Sequence, residues 1–132
     1  MSGRGGRVYV VDDDPAMVEA VVAVLSLDGF EVDGASDSTA ALRAVLGDPP
    51  ALLVLDVNMP GLTGWEFCEI LRRQPLTREL PVLFLTGRGE VKDRITAMQV
   101  GGTDHLTKPF HAEELRARVR ALTAGVPARG EP

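Results

Sequence analysis

Five residues with polar side chains come directly after short, mainly apolar segments of the sequence. Asp12 and Asp13 follow RVYVV, Asp56 follows ALLVL, Thr86 follows PVLFL, and Lys108 follows DHLT. Short apolar runs rich in β-branched residues are typical of buried strands. If these strands are parallel and belong to one sheet, their carboxyl ends meet at one edge. The sequence therefore predicts that the five side chains lie together.

Three carboxylates gathered at such an edge need a compensating positive charge. They repel one another, and each tends to take up a proton unless a cation lies among them. Lys108 supplies a single positive charge. Mg²⁺ prefers a few protein oxygens and completes its shell with water and phosphate oxygens. We therefore expect a Mg²⁺ site here, with Mn²⁺ as an alternative occupant.

A carboxylate beside a divalent cation and an ammonium group can act as a nucleophile toward phosphorus. The product is an aspartyl phosphate, and the cations neutralise charge on the phosphoryl oxygens during transfer. Asp56 is the best-placed carboxylate, because it lies beyond the central apolar strand and just before the Met59-Pro60-Gly61 turn. It is the predicted phospho-acceptor.

Strand and helix patterns alternate along the chain, which predicts βαβ units and an α/β fold. Strands that are apolar throughout indicate a parallel sheet covered on both faces. We expect a doubly wound five-stranded parallel sheet of flavodoxin-like order 2-1-3-4-5 with five helices. The predicted strands are Arg7–Val11, Glu31–Ala35, Ala51–Leu55, Pro81–Leu85 and Asp104–Thr107. The first predicted helix starts at Pro15, is capped by Asp14 and is closed by Gly29. The second covers Ser38–Leu46 and is capped by Ser38. The remaining predicted helices are Gly64–Arg73, Val91–Val100 and Ala112–Thr123.

Length and composition fit one globular domain. The chain has 132 residues, of which 45% are hydrophobic and 25% charged, and single cores of this size are common. We expect a domain over residues 7–124, a disordered N-terminal extension over residues 1–6, and a flexible Gly- and Pro-bearing tail or linker over residues 125–132.

Charge and cysteine content limit the partners and the compartment. A net charge of −5 disfavours direct binding to nucleic acid or to an anionic membrane. No run reaches the roughly 18 apolar residues of a membrane span. The single cysteine, Cys68, is interpreted as a small core residue. The expected location is the cytoplasm.

Four segments, in this order, resemble those of the receiver domains of response regulators in two-component signal transduction. The resemblance covers roughly Arg7 to Thr123. The segments are Val10–Pro15 (VVDDDP), Leu55–Gly61 (LDVNMPG), Leu85–Gly87 (LTG) and His105–Phe110 (HLTKPF). The resemblance implies a phosphorylatable switch, which assists its own phosphorylation and dephosphorylation but is not an enzyme acting on an external substrate.

The resemblance also implies a role for each site residue. Asp13 would bind Mg²⁺ directly, Asp12 through water, Asp56 as both ligand and phospho-acceptor, and Asn58 through its backbone carbonyl. Thr86 and Lys108 would contact the phosphoryl oxygens. The Lys108-Pro109 bond would be cis. His105 stands at the switch position that usually carries Tyr or Phe, so the switch is expected to be weaker or modestly pH-sensitive.

The implied partners are a histidine kinase or histidine phosphotransfer protein as donor and a downstream effector protein or domain as reader. Arg94, Asp104, Glu114 and Arg118 resemble a charged face through which one branch of the family forms homodimers. Thr103 departs from that branch, which usually has an aspartate there.

Three other interpretations apply to parts of this sequence. Consecutive aspartates are often helix caps or turn residues, and Asp14 is assigned to that role. The chain would also fit a phosphorylation-independent pseudo-receiver that acts as a binding or dimerisation module. A phosphatase-like hydrolase is the third class, but it lacks a second general acid two residues after Asp56, where Asn58 stands.

Overall fold

The computed structural model describes residues 6–87 and 91–124, without the side chains of residues 91–94. Its five strands form one parallel sheet of order β2-β1-β3-β4-β5. Helices connect the strands, so the predicted fold class, strand order and element order are confirmed. The elements are β1 Arg7–Val11, α1 Pro15–Leu27, β2 Glu31–Ala35, α2 Ser38–Gly47, β3 Leu52–Asp56, α3 Gly64–Arg72, β4 Val82–Thr86, α4 Val91–Gln99, β5 Asp104–Thr107 and α5 Ala112–Thr123.

The core lies on both faces of the sheet because successive strand residues point to opposite sides. In β3, Leu53 and Leu55 belong to one buried cluster, which α2, α3 and α4 cover. Leu52 and Val54 belong to a second buried cluster, which α1 and α5 cover. All five residues of β3 and of β4 are buried. This double burial explains why both strands are apolar until their last residue.

Several predicted boundaries are wrong by one residue. β3 and β4 include Asp56 and Thr86 as their last residues, because Asp56 pairs with Leu85 and Thr86 pairs with Thr107. The two strands begin at Leu52 and Val82. Both begin one residue later than predicted. Three helix ends also differ, since α2 ends at Gly47, one residue later than predicted, and α3 and α4 end at Arg72 and Gln99, one residue earlier.

The caps of the first two helices illustrate one correct and one wrong prediction. The Asp14 carboxylate caps α1 as expected and accepts a hydrogen bond from the Ala16 amide at 3.0 Å. In α2 the cap is Asp37, because its carboxylate accepts from the amides of Thr39 and Ala40. The predicted cap, Ser38, is instead the first helical residue.

Some predictions fall outside the described residues. They are the disordered extension, apart from Gly6, the flexible tail, and the role of the Arg94 side chain. Within the described residues, no helix has the length and apolar character needed to cross a membrane.

Candidate functional site

Three carboxylates converge at the carboxyl edge of the sheet. Asp12 and Asp13 follow β1, and Asp56 ends β3. One oxygen from each carboxylate lies within 4.8 Å of the others. Asp12 is fully buried and Asp56 is 4% exposed, whereas Asp13 is exposed. The cluster therefore has a buried floor formed by two carboxylates and an open side at Asp13.

Lys108 lies between the two buried carboxylates. Its Nζ is 2.8 Å from Asp12 Oδ2 and 3.3 Å from Asp56 Oδ1. The backbone amide of Lys108 donates to the Thr86 carbonyl at 2.8 Å, which extends the pairing of β4 and β5 by one residue. The Lys108-Pro109 peptide bond is cis. The lysine is thus fixed by the sheet at one end and by two carboxylates at the other.

The site carries excess negative charge. Burial, followed by the charge of Asp12, raises the pKa of Asp56 from 3.8 to about 6, although Lys108 opposes the shift. Burial lowers the pKa of Lys108, but its hydrogen bond to Asp12 and the charge of Asp56 outweigh burial, so its pKa is raised overall. Lys108 is therefore a cation at neutral pH and compensates only part of the charge.

The donor set fits a hard divalent cation such as Mg²⁺, because carboxylate oxygens are the ligands that this ion prefers. Both oxygens of Asp12 already accept hydrogen bonds, Oδ1 from the Asp14 amide at 3.0 Å and Oδ2 from Lys108. Asp12 is thus suited to act through water. Asp13 and Asp56 are the carboxylates with oxygens left to bind an ion directly.

Asn58 stands in the turn that follows β3. It is exposed between the buried residues Val57 and Met59. Asn58 is two residues after Asp56, and the contribution of its backbone carbonyl to a metal site stays a prediction.

Thr86 and His105 lie on the same side of the sheet. His105 pairs with Phe84 in the register of β4 and β5, and Phe84 and Thr86 share a face because they are two residues apart. Phe84 belongs to the cluster beneath α4. Thr86 is 1% exposed, whereas the His105 side chain is half-buried, with its Nδ1 4.0 Å from Asp104 Oδ1. The two predicted switch residues therefore lie in one layer, on the same face of the sheet.

Three of the four residues predicted to form a homodimer face, Asp104, Glu114 and Arg118, take part in bonds within the chain. Arg118 Nη1 is 2.9 Å from both carboxylate oxygens of Asp104. The Glu114 carboxylate accepts from the His111 amide at 3.1 Å, at the start of α5. In the described part of the chain, Asp104 and Arg118 thus already form an ion pair.

Sequence reasoning missed how α3 begins. Thr63 caps the helix, and its hydroxyl and the Glu66 side chain form a reciprocal capping box. The sequence Thr63-Gly-Trp-Glu66 carries the signature of this motif. Trp65 packs at the helix start, with its ring centroid 4.7 Å from that of Phe84. Cys68 is buried, as expected of a core residue.

Comparison with known proteins agrees with this geometry. The sequence model of the response regulator receiver domain matches residues 8–120. The transcriptional regulatory protein TcrA of Mycobacterium tuberculosis is 44% identical over 97% of the chain and 50% of its own length. Response regulator MprA of Mycobacterium leprae is 46% identical over 88% of the chain and 50% of its own length. The chain thus spans about half the length of these curated relatives.

Solved structures show the same fold. Chemotaxis protein CheY4 of Vibrio cholerae superposes with a TM-score of 0.83 at 32% identity, covering 88% of this chain and 97% of that one. The receiver domain of a Francisella response regulator gives a TM-score of 0.84 at 30% identity, covering 90% and 97%. The chain belongs to the response regulator receiver domain family.

Proposed function

We propose that this chain is a signalling switch that accepts a phosphoryl group on Asp56 in a Mg²⁺-dependent reaction. The donor is a histidine kinase or a histidine phosphotransfer protein. The observation that carries the proposal is the position of Asp56, within 4.8 Å of the Asp12 and Asp13 carboxylates and 3.3 Å from the Lys108 ammonium. Together with a bound Mg²⁺, Lys108 would offset the repulsion between a phosphate and the Asp56 carboxylate.

In the proposed transfer, a carboxylate oxygen of Asp56 forms a bond to phosphorus while the bond from phosphorus to the donor nitrogen breaks. Lys108 pairs with one phosphoryl oxygen, and the Thr86 hydroxyl donates to another. A bound Mg²⁺, held by Asp13, Asp56 and the Asn58 carbonyl and by Asp12 through water, would neutralise charge on the phosphoryl oxygens. Asp56 must be ionised to attack, and a pKa of about 6 leaves it largely ionised at neutral pH.

The phosphorylated site is proposed to alter the surface formed by α4, β5 and α5. A phosphoryl group adds negative charge and strong acceptor oxygens that attract the Thr86 hydroxyl. Thr86 shares a layer with His105, so movement of the threonine changes the space open to the imidazole. The His105 ring is smaller than the usual aromatic side chain, which favours a weaker switch.

The proposed reader is an effector protein or domain, because the relatives include regulators about twice as long as this chain. We also propose that the face with Arg94, Asp104, Glu114 and Arg118 contacts a second copy. A second copy would have to compete with the internal Asp104–Arg118 pair. The absence of direct nucleic-acid and membrane binding and the cytoplasmic location stay predictions.

Intact-mass spectrometry after incubation with acetyl phosphate and Mg²⁺ tests the proposed function. The wild-type chain should gain one phosphoryl group, and Asp56→Asn should gain none. Asp33→Asn is the matched control, because Asp33 is an exposed carboxylate on β2, and it should be modified like the wild type. An unmodified wild-type chain would favour the pseudo-receiver, whereas rapid turnover of an external phosphate ester would favour the hydrolase.

A further inference from the structure

We propose that Gly64, the first residue of α3, is a positioning residue for the metal site. The inference rests on the proposed function, because it concerns how the turn after Asp56 is held for a bound Mg²⁺. Gly64 itself does not reach the carboxylates. Its backbone acts on the segment that joins Asp56 to Asn58.

The start of α3 lies directly against the backbone at the end of β3. The Gly64 amide donates to the Val57 carbonyl at 2.8 Å. A Cβ at position 64 would lie 2.8 Å from Val57 Cα and 3.1 Å from the Asp56 carbonyl carbon, and it would overlap the Asp56 carbonyl oxygen. The atoms that it would meet are backbone atoms, which cannot rotate away as the end of a side chain can. Any side chain at position 64 must therefore separate α3 from the acceptor strand or displace that strand.

The segment after Asp56 has little freedom to absorb such a displacement elsewhere. The Val57 amide donates to the Leu85 carbonyl on β4 at 3.1 Å, while the Val57 carbonyl accepts from Gly64. Val57 and Met59 are each 5% exposed, on either side of the exposed Asn58. The backbone of Asn58 is thus held on both sides by a buried residue. A shift at Val57 moves the Asn58 carbonyl and the Asp56 carboxylate relative to Asp13.

The start of α3 is also held in place from its other side. The Thr63 amide donates to Glu66 Oε1 at 2.9 Å, and the Glu66 amide donates to Thr63 Oγ1 at 3.2 Å. Trp65 contacts Phe84 on β4. Because the cap and the ring contact restrain the helix, a collision at Gly64 is transmitted to the turn. The close approach of two backbones at Gly64 is therefore part of the metal site's geometry.

The test is the Mg²⁺ dissociation constant of folded protein, measured by isothermal titration calorimetry for the wild type, Gly64→Ala and Gly47→Ala. Gly47 is the last residue of α2, and a Cβ there meets nothing within 4 Å, so it is a matched control. We expect Gly64→Ala to bind Mg²⁺ on the order of tenfold more weakly, as displaced outer-shell groups do in other metal sites. Gly47→Ala should bind Mg²⁺ like the wild type.

A purely structural role for Gly64 predicts a different pattern. Urea unfolding would then show a destabilised Gly64→Ala that binds Mg²⁺ with the wild-type dissociation constant, and this result overturns the proposal. If wild-type protein binds no Mg²⁺, the proposed function fails as well, so the two failures are distinguishable.

Thr63→Ala provides a second variant in case Gly64→Ala does not fold. It loosens the start of α3 without adding an atom near Asp56. Weaker Mg²⁺ binding by Thr63→Ala supports the proposal, and unchanged binding contradicts it.

Discussion

Asp56 combines two properties that conflict in the metal-free protein. It is buried beside a second carboxylate, and it must carry a charge to act as a nucleophile. Burial and the charge of Asp12 raise its pKa from 3.8 to about 6. Ionising Asp56 therefore costs more free energy in the folded protein than in the unfolded chain. Lys108 reduces the cost without removing it. The carboxylate that is proposed to react is thus the one whose ionised form the fold disfavours.

The first prediction is that Asp56→Asn stabilises the metal-free protein. The native carboxylate binds its proton more tightly than the unfolded one, so the wild type loses stability as pH rises from about 4 through about 6. At pH 8 the variant should be more stable by about 1–3 kcal/mol. Urea unfolding in EDTA should show this gain shrinking as pH falls below 6. Asp33→Asn is the control, and a destabilised Asp56→Asn at pH 8 would contradict the prediction.

The second prediction concerns the pH dependence of Mg²⁺ binding. A cation must displace any proton held by its ligands, so affinity falls when a ligand is protonated. Because the pKa of Asp56 is about 6, the Mg²⁺ dissociation constant should be nearly constant above pH 7 and rise steadily below pH 6. Titration calorimetry between pH 5 and 8 measures it. A flat profile across this range would show that Asp56 does not bind the ion.

At the scale of elements, the parallel strands were predictable because β3 and β4 are buried on both faces and are therefore apolar throughout. Their ends were misjudged for the same reason. An apolar criterion stops before Asp56 and Thr86, although the backbone of each still pairs with its neighbour. The cap of α2 was misassigned because Asp37 and Ser38 are adjacent residues with similar capping propensity.

Contacts between distant turns were beyond sequence reasoning. Arg72 at the end of α3 donates to the Gly101 carbonyl from Nε at 3.1 Å and from Nη2 at 2.7 Å. Its Nη1 donates to the Thr77 carbonyl at 3.0 Å. The guanidinium thus joins the turn after α4 to the loop before β4. Nothing in the local sequence distinguishes Arg72 from its neighbour Arg73.

The third prediction follows from this difference between two adjacent arginines. Arg72→Ala removes three hydrogen bonds to backbone carbonyls and should lower the free energy of unfolding by about 1–3 kcal/mol. Arg73→Ala, at an exposed position, should change it by less than about 0.5 kcal/mol. Urea unfolding of both variants provides the measurement. Equal losses would mean that the carbonyl contacts of Arg72 contribute nothing specific.

At the scale of the whole molecule, the proposed Mg²⁺ site would make the stability of the fold depend on ion concentration. The three carboxylates come from segments that follow or end β1 and β3, so they are brought together only when the sheet has formed. An ion that binds them binds the native state and not the unfolded chain. Its binding free energy is therefore added to the stability of the entire domain.

The fourth prediction is that Mg²⁺ raises the thermal midpoint of the wild-type domain in a concentration-dependent manner. At one hundred times its dissociation constant, the ion should add about 2.7 kcal/mol. Asp13→Asn should largely abolish the increase, because Asp13 is the exposed carboxylate of the cluster and has oxygens left for the ion. Asp37→Asn, in the neighbouring loop, should retain it. Equal midpoint shifts in Asp13→Asn and in the wild type would mean that Mg²⁺ stabilises the fold from some other place on its acidic surface.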